Sequence, residues 1–135
     1  MLTFGEQLAS GLAVGSWVAI DGPLGAGKTV LCKGILRGLG FEGEVASPSY
    51  AIIHQYNPPE TDIAVAHADL YRLNNVEELE ELGLAEQRDD HVTLVEWAER
   101  AGAAYSKPSH HIQIVPQPDG TRILTLKTET YDTRN

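Results

Sequence analysis

The sequence predicts an α/β fold in which a mixed sheet is flanked by helices and ends in a C-terminal antiparallel hairpin. Short apolar runs that suit buried strands alternate with segments of helical periodicity. A glycine-rich stretch joins the first of these strands to a helix. The last two apolar runs, 112–115 and 122–127, are separated by Pro118-Asp119-Gly120, a turn sequence that predicts a hairpin.

The first third of the chain predicts a helix, a strand and a second helix. The segment from Thr3 to Glu6 has the spacing of a capping box, and apolar residues then follow at helical intervals over 4–14. A short apolar strand is expected at 16–21, before the glycine-rich loop. The helix after the loop is expected to reach about residue 39, where Gly40 provides a stop.

The middle of the chain predicts three further strands and a short helix. Strands are expected at 51–56, at 63–67 leading into an acid, and at 91–95. Between the last two, Asn75 is a candidate N-cap of a short helix that Gly83 ends. No repeat or linker divides the sequence, so residues 1–135 are expected to form one domain.

Composition restricts the class of protein. The formal net charge of −9 argues against an independent nucleic-acid binder, which normally carries a basic face. The single cysteine, Cys32, excludes an intramolecular disulfide and favours a reducing compartment. No apolar run reaches the roughly 20 residues that span a bilayer. A cytoplasmic protein without membrane contact is the expectation.

The glycine-rich loop matches the phosphate-binding pattern G-x-x-x-x-G-K-[ST]. Its glycines let backbone N–H groups point at phosphate oxygens, and the helix that follows brings its positive end to the same place. A glycine-rich turn that merely precedes a helix is the competing interpretation. The candidate nucleotide-binding residues are Gly22, Gly25, Ala26, Gly27, Lys28 and Thr29.

Two acids are candidates for the remainder of a phosphate-transfer site. Asp69 and Glu96 each follow an apolar run, and in an α/β sheet the ligand binds at the carboxyl ends of the strands. Such an acid can hold Mg²⁺ or orient a water. For either one, a helix cap or a salt bridge to Arg72 or Arg100 is an equally good interpretation.

Four stretches in this order resemble the TsaE family of small bacterial ATPases, and the resemblance covers residues 4 to about 127. The P-loop is the strongest of them taken singly, and the ordered set is more specific. The stretches are Leu24-Gly25-Ala26-Gly27-Lys28-Thr29, Ser47-Pro48-Ser49-Tyr50, His67-Ala68-Asp69-Leu70-Tyr71-Arg72 and Leu94-Val95-Glu96-Trp97.

The resemblance implies a P-loop NTPase-like fold and hydrolysis of ATP with Mg²⁺, weak alone and stimulated by the TsaB–TsaD protein pair. That pair forms N6-threonylcarbamoyladenosine at position 37 of tRNAs that read codons beginning with A. Contact with tRNA is then expected only through the complex.

The resemblance also assigns roles to residues of this chain. Gly22, Gly25, Ala26, Gly27 and Lys28 would cradle the phosphates. Thr29 and Glu96 would be Mg²⁺ ligands, and Asp69 would be the second catalytic acid beside Lys28 and Glu96. The segment 47–49 resembles a switch-like loop, and Trp97 would pack beside the site. Pro23 stands where the family commonly has Asp, so one loop N–H is missing.

Other activities compatible with a P-loop are a small-molecule kinase, a GTPase-like switch and a nucleotide-binding scaffold without turnover. A kinase usually needs an arginine-rich lid, and the chain has only ten Lys and Arg. The guanine-reading N-K-x-D segment of GTPases is missing from the sequence. The histidines lack the spacing of a zinc site.

Overall fold

A computed structural model describes residues 1–45, 53–102 and 107–129. Its elements, in chain order, are α1 (Leu2–Ala9), β1 (Trp17–Asp21), α2 (Lys28–Gly38), β2 (Ile53–Tyr56), β3 (Val65–Asp69), α3 (Glu77–Leu82), β4 (Val92–Glu96), β5 (His110–Pro116) and β6 (Arg122–Thr128). Two 3-10 helices, Arg88–Asp90 and Ala98–Ala101, precede and follow β4.

The strands form one six-stranded sheet in the order β2-β3-β4-β1-β5-β6. The four inner strands are parallel, whereas β2 and β6 pair antiparallel at the two edges. The chain therefore has a mixed sheet with helices and a P-loop NTPase-like fold, and the predicted C-terminal hairpin is β5 with β6.

The larger core lies where α2 and α1 cover one face of the sheet. Alternate residues of β1, such as Val18 and Ile20, are fully buried against Leu31 and Ile35 of α2. The two helices approach closely because Gly34 has no side chain: a Cβ there would lie 2.4 Å from the carbonyl oxygen of Leu2. This packing holds α1 against the middle of α2.

The opposite face of the sheet carries a smaller core. Trp17 of β1, Val95 of β4 and Ala66 of β3 point to this side, and Leu79 of α3 packs over them. The inner strands β1, β3 and β4 thus have apolar residues on both faces, as expected for parallel strands inside a sheet.

The first helix differs from its prediction. It ends at Ala9 rather than near residue 14, and Met1 is its N-cap, so the predicted capping box at Thr3 is wrong. After the helix the Ser10 hydroxyl donates to the carbonyl of Gln7, and turns replace further helical bonds. Side-chain bonding of this kind competes with the helix backbone, and a glycine follows at position 11.

Other predicted boundaries agree with the structure to within a few residues. The predicted strand 51–56 is observed as Ile53–Tyr56, and residues 51–52 lie outside the described residues. The N-cap of α3 is Val76, one residue after the predicted Asn75, whose side chain accepts a hydrogen bond from the N–H of Glu78 at 3.2 Å. Gly83 ends α3 in the left-handed region. Within the described part of the chain, no helix is long and apolar enough to cross a membrane.

Candidate functional site

The P-loop lies between the end of β1 and the start of α2. Gly27 is the N-cap of α2 with φ = 104°, a left-handed conformation that L side chains rarely adopt. Gly25 is also left-handed, at φ = 80°, while Ala26 is fully buried. The first N–H groups of a helix have no partner inside the helix, so the start of α2 offers donors and a positive potential to an anion.

Lys28, the first residue of α2, is held inside the loop. Its Nζ donates hydrogen bonds to the carbonyls of Gly22 at 2.7 Å and Pro23 at 2.8 Å. The same nitrogen lies 3.9 Å from the centroid of the Trp97 ring, a cation–π contact. Burial lowers the pKa of Lys28, and the carboxylates of Glu96 and Asp69 oppose that shift. The ammonium group of Lys28 is thus held in the loop by two backbone carbonyls, which a ligand could replace as its hydrogen-bond partners.

Glu96 ends β4 beneath the P-loop and contacts residues from two other elements. The hydroxyl of Thr29 donates to Glu96 Oε1 at 2.9 Å, and His67 Nε2 lies 2.6 Å from Oε2. An ionised carboxylate only accepts, so Nε2 of His67 carries the proton in this contact. Glu96 is 2% exposed and His67 is fully buried. Two hydrogen bonds therefore fix the orientation of this carboxylate.

Asp69 lies beside Glu96 on the neighbouring strand. The two residues are direct partners in the parallel register of β3 and β4. Asp69 Oδ1 accepts a hydrogen bond from the N–H of Tyr71 at 3.0 Å. Burial raises the pKa of Asp69, and the negative charge of Glu96 raises it further. Two carboxyl side chains, which repel each other when both are ionised, are thus held close together at the strand ends.

The salt bridges considered from the sequence do not form among the described residues. Neither acid pairs with Arg72 or Arg100. Arg100 instead lies over aromatic rings, with its guanidinium carbon 5.4 Å from the Tyr71 centroid and 5.8 Å from that of Trp97. No arginine among the described residues therefore neutralises either acid.

The donor atoms at this point suit Mg²⁺. A hydroxyl and carboxylates supply oxygen ligands, which Mg²⁺ prefers, and it usually binds through one or two carboxylates together with phosphates. Burial raises the pKa of Asp69, and repulsion by the negative charge of Glu96 raises it further. A cation beside Thr29, Asp69 and Glu96 would relieve that repulsion, so these residues fit the metal.

A buried cluster behind the site was not recognised from the sequence. One ligand-type atom from each of Cys32, His67 and Glu96 lies within 4.8 Å of the others. Burial raises the pKa of the Cys32 thiol well above its ordinary value, and Glu96 raises it further. The thiol is therefore neutral, whereas a metal-bound cysteine must be ionised. The spacing of His67 and Asp69, two residues apart on one strand, was the available signal that both face Glu96.

Asp21 is a third strand-ending acid to which sequence reasoning gave no role. Its carboxylate accepts from the N–H of Glu99 at 3.2 Å and contacts His111 Nε2 at 2.9 Å. Burial raises the pKa of Glu99, and the negative charge of Asp21 raises it further. By strand alternation Asp21 faces the side of the sheet away from α2, so it is separate from the pair formed by Asp69 and Glu96.

Comparison with known proteins identifies the family. The sequence profile described as "Threonylcarbamoyl adenosine biosynthesis protein TsaE" matches residues 1–124. The chain belongs to the TsaE family. A protein of Mycobacterium bovis named tRNA threonylcarbamoyladenosine biosynthesis protein TsaE is 38% identical over 121 residues, which are 84% of this chain and 70% of that protein. A Rickettsia bellii protein of the same name is 31% identical over 127 residues, covering 93% and 87% of the two chains.

A solved structure supports the fold of this TsaE-family chain. The crystal structure of Bacillus subtilis YdiB superposes with a TM-score of 0.71 at 28% sequence identity, covering 94% of this chain and 78% of that one. The resemblance stated from the four stretches is thereby confirmed. The predicted switch-like segment 47–49 lies outside the described residues.

Proposed function

We propose that this TsaE-family protein is a Mg²⁺-dependent ATPase that supports the TsaB–TsaD complex in forming N6-threonylcarbamoyladenosine in tRNAs that read codons beginning with A. The contact between Thr29 and Glu96 carries the proposal, because it joins the P-loop to a strand-ending acid at one point. Membership of a family named for threonylcarbamoyl adenosine biosynthesis supports the pathway.

The chain's own residues would each contribute a separate function. The N–H groups at the start of α2 would bind phosphate oxygens, and Lys28 Nζ would exchange the carbonyls of Gly22 and Pro23 for the β- and γ-phosphates. Mg²⁺, when bound, supplies charge neutralisation at the phosphates. Thr29 and Glu96 are proposed to hold it, and His67 keeps Glu96 in orientation.

Asp69 is proposed as the second acid, which orients the attacking water. Burial raises its pKa, and this makes its carboxylate a better proton acceptor than that of an ordinary aspartate. Trp97 shields Lys28 from solvent, which strengthens the electrostatic interactions of the ammonium. We expect the protein by itself to hydrolyse ATP slowly, because stabilisation of the transferred phosphoryl group often requires a group supplied by another protein.

The test is ATP hydrolysis with Mg²⁺, measured for the protein alone and with a TsaB–TsaD pair from the same cell. Strong stimulation that is lost in Lys28→Ala, and kept in the control Lys33→Ala on the same helix, is the expected result. No stimulation by a folded pair would overturn the threonylcarbamoylation role. Phosphorylation of a small molecule would instead identify a kinase, and tight binding without turnover beside the partners would identify a scaffold.

A further inference from the structure

The C-terminal hairpin reaches the P-loop from outside. Strand β5 runs along the loop so closely that a Cβ on Gly22 would lie 2.8 Å from the carbonyl oxygen of Ile114. Arg122 begins β6 and pairs with Pro116 at the turn end of the hairpin. The hairpin therefore presents its first β6 side chains near the phosphate-binding loop.

Arg122 lies directly beside the glycine that starts α2. Its Nε is 3.7 Å from the position that a Cβ would take on Gly27, and the methyl group of Met1 occupies the space next to it. The alternation of β6 explains the direction: Leu124, two residues later, packs on the core that α2 covers, so Arg122 shares that face of the sheet.

The guanidinium of Arg122 has no anionic partner in the described structure. No hydrogen bond or ion pair joins its side chain to a residue within 1–45, 53–102 or 107–129. A planar guanidinium presents several N–H donors in a fork that matches phosphate oxygens.

We propose that Arg122 is a phosphate-contacting residue of the nucleotide site, supplied by the C-terminal hairpin of the same chain. This inference rests on the proposed function, since it takes a nucleoside diphosphate or triphosphate as the ligand of the P-loop. Lys28 approaches the phosphates from within the loop, and Arg122 approaches from the side of Gly27. Its contribution is to affinity, so it is a binding residue and takes no part in the chemistry.

The experiment is calorimetric titration of the full chain with ADP and Mg²⁺ at low and high salt. Arg122→Ala is compared with Lys127→Ala, which removes the same charge from the same exposed strand but from the opposite face. We expect Kd to rise about 3- to 10-fold in Arg122→Ala at low salt and to change by less than about twofold in Lys127→Ala. Arg122→Lys should recover part of the loss, because the charge remains while the fork is gone.

The salt dependence separates a phosphate contact from a change of structure. The affinity difference between wild type and Arg122→Ala should shrink at high salt, because screening weakens an exposed ionic contact. Equal Kd values for the two alanine variants, or a loss that salt leaves unchanged, would overturn the role of Arg122 while the nucleotide site stands. If the wild-type chain binds neither ADP nor ATP, the proposed function itself fails.

Discussion

Nε2 of His67 lies 2.6 Å from Oε2 of Glu96, and both side chains are shielded from solvent. The contact joins β3 to β4 on the face that α2 covers. The other oxygen of the same carboxylate accepts from Thr29 of α2. The Glu96 carboxylate therefore links two strands and the P-loop helix. The same contacts stabilise the fold and orient the proposed metal ligand.

Replacing His67 with Leu should destabilise the fold. The substitution keeps an apolar side chain in the core but leaves a buried Glu96 oxygen without its donor, which costs about 1–3 kcal/mol of unfolding free energy. Urea denaturation measures the loss. His54→Leu is the control, because His54 pairs with His67 in the β2–β3 register but is only partly buried. Equal effects of the two substitutions would show that the Glu96 contact contributes nothing particular.

Glu96→Ala should separate hydrolysis from nucleotide binding. The phosphate contacts of the loop and Lys28 remain, so affinity for ADP changes little, whereas Mg²⁺-dependent hydrolysis beside the partners should fall by about 10- to 100-fold. A magnesium titration of the hydrolysis rate makes the measurement. Glu99→Ala, which removes another carboxylate near Lys28, is the matched control. Unchanged hydrolysis in Glu96→Ala would refute the metal assignment.

Asp69→Asn should make the folded protein more stable at neutral pH. Burial raises the pKa of Asp69, so the ionised carboxylate opposes folding above that pKa. The cost disappears as the pH falls through the raised pKa of the folded state towards 3.8, the ordinary value for an aspartate. Asparagine can still accept the bond from Tyr71 and carries no charge.

Thermal unfolding of Asp69→Asn should therefore show a Tm roughly a few degrees higher than wild type at pH 7, with the difference closing in acid. The exposed Asp89→Asn serves as the control for loss of one negative charge. A lower Tm for Asp69→Asn at pH 7 would mean that the carboxylate stabilises the fold. Hydrolysis should decrease in the same variant, the usual conflict between stability and function at an active site.

Trp97 should report nucleotide binding by fluorescence. Lys28 Nζ lies over its ring, and phosphates that draw this ammonium away would change the surroundings of the indole. Addition of ADP should therefore alter the emission of the wild-type protein. The change should vanish in Trp97→Phe, which retains Trp17, a buried residue of β1. A signal that persists in Trp97→Phe would place its origin at Trp17.

Arg88→Leu should destabilise the protein by about 2–4 kcal/mol, because it removes donors from carbonyls in a partly buried junction. Arg88 Nε donates to Gly15 at 3.0 Å and Nη1 donates to the carbonyl of Lys107, so one side chain joins the segments that lead into β1 and β5. Chemical denaturation compares this variant with Arg37→Leu, an exposed arginine at the end of α2. Comparable losses would argue against a structural role of this junction.

The sequence was sufficient for most of the secondary structure because the signals are local. The positions of the strands along the chain, the glycine-rich loop and the start of α2 depend on apolar runs, glycine conformation and helix termini. Each of these signals is set within a few residues. The predicted end of α1 was wrong. The apolar periodicity continues past Ala9, but the hydrogen bond of the Ser10 side chain and the turns after it end the helix there.

The sequence by itself also identified the TsaE family, because four short motifs occur along the chain in the order typical of that family. Tertiary structure alone decided which acid contacts Thr29, that His67 holds Glu96, and that Arg122 reaches Gly27. These contacts join residues far apart in the chain. They exist only because strand order and register bring the ends of β3, β4 and the C-terminal hairpin around the first turn of α2.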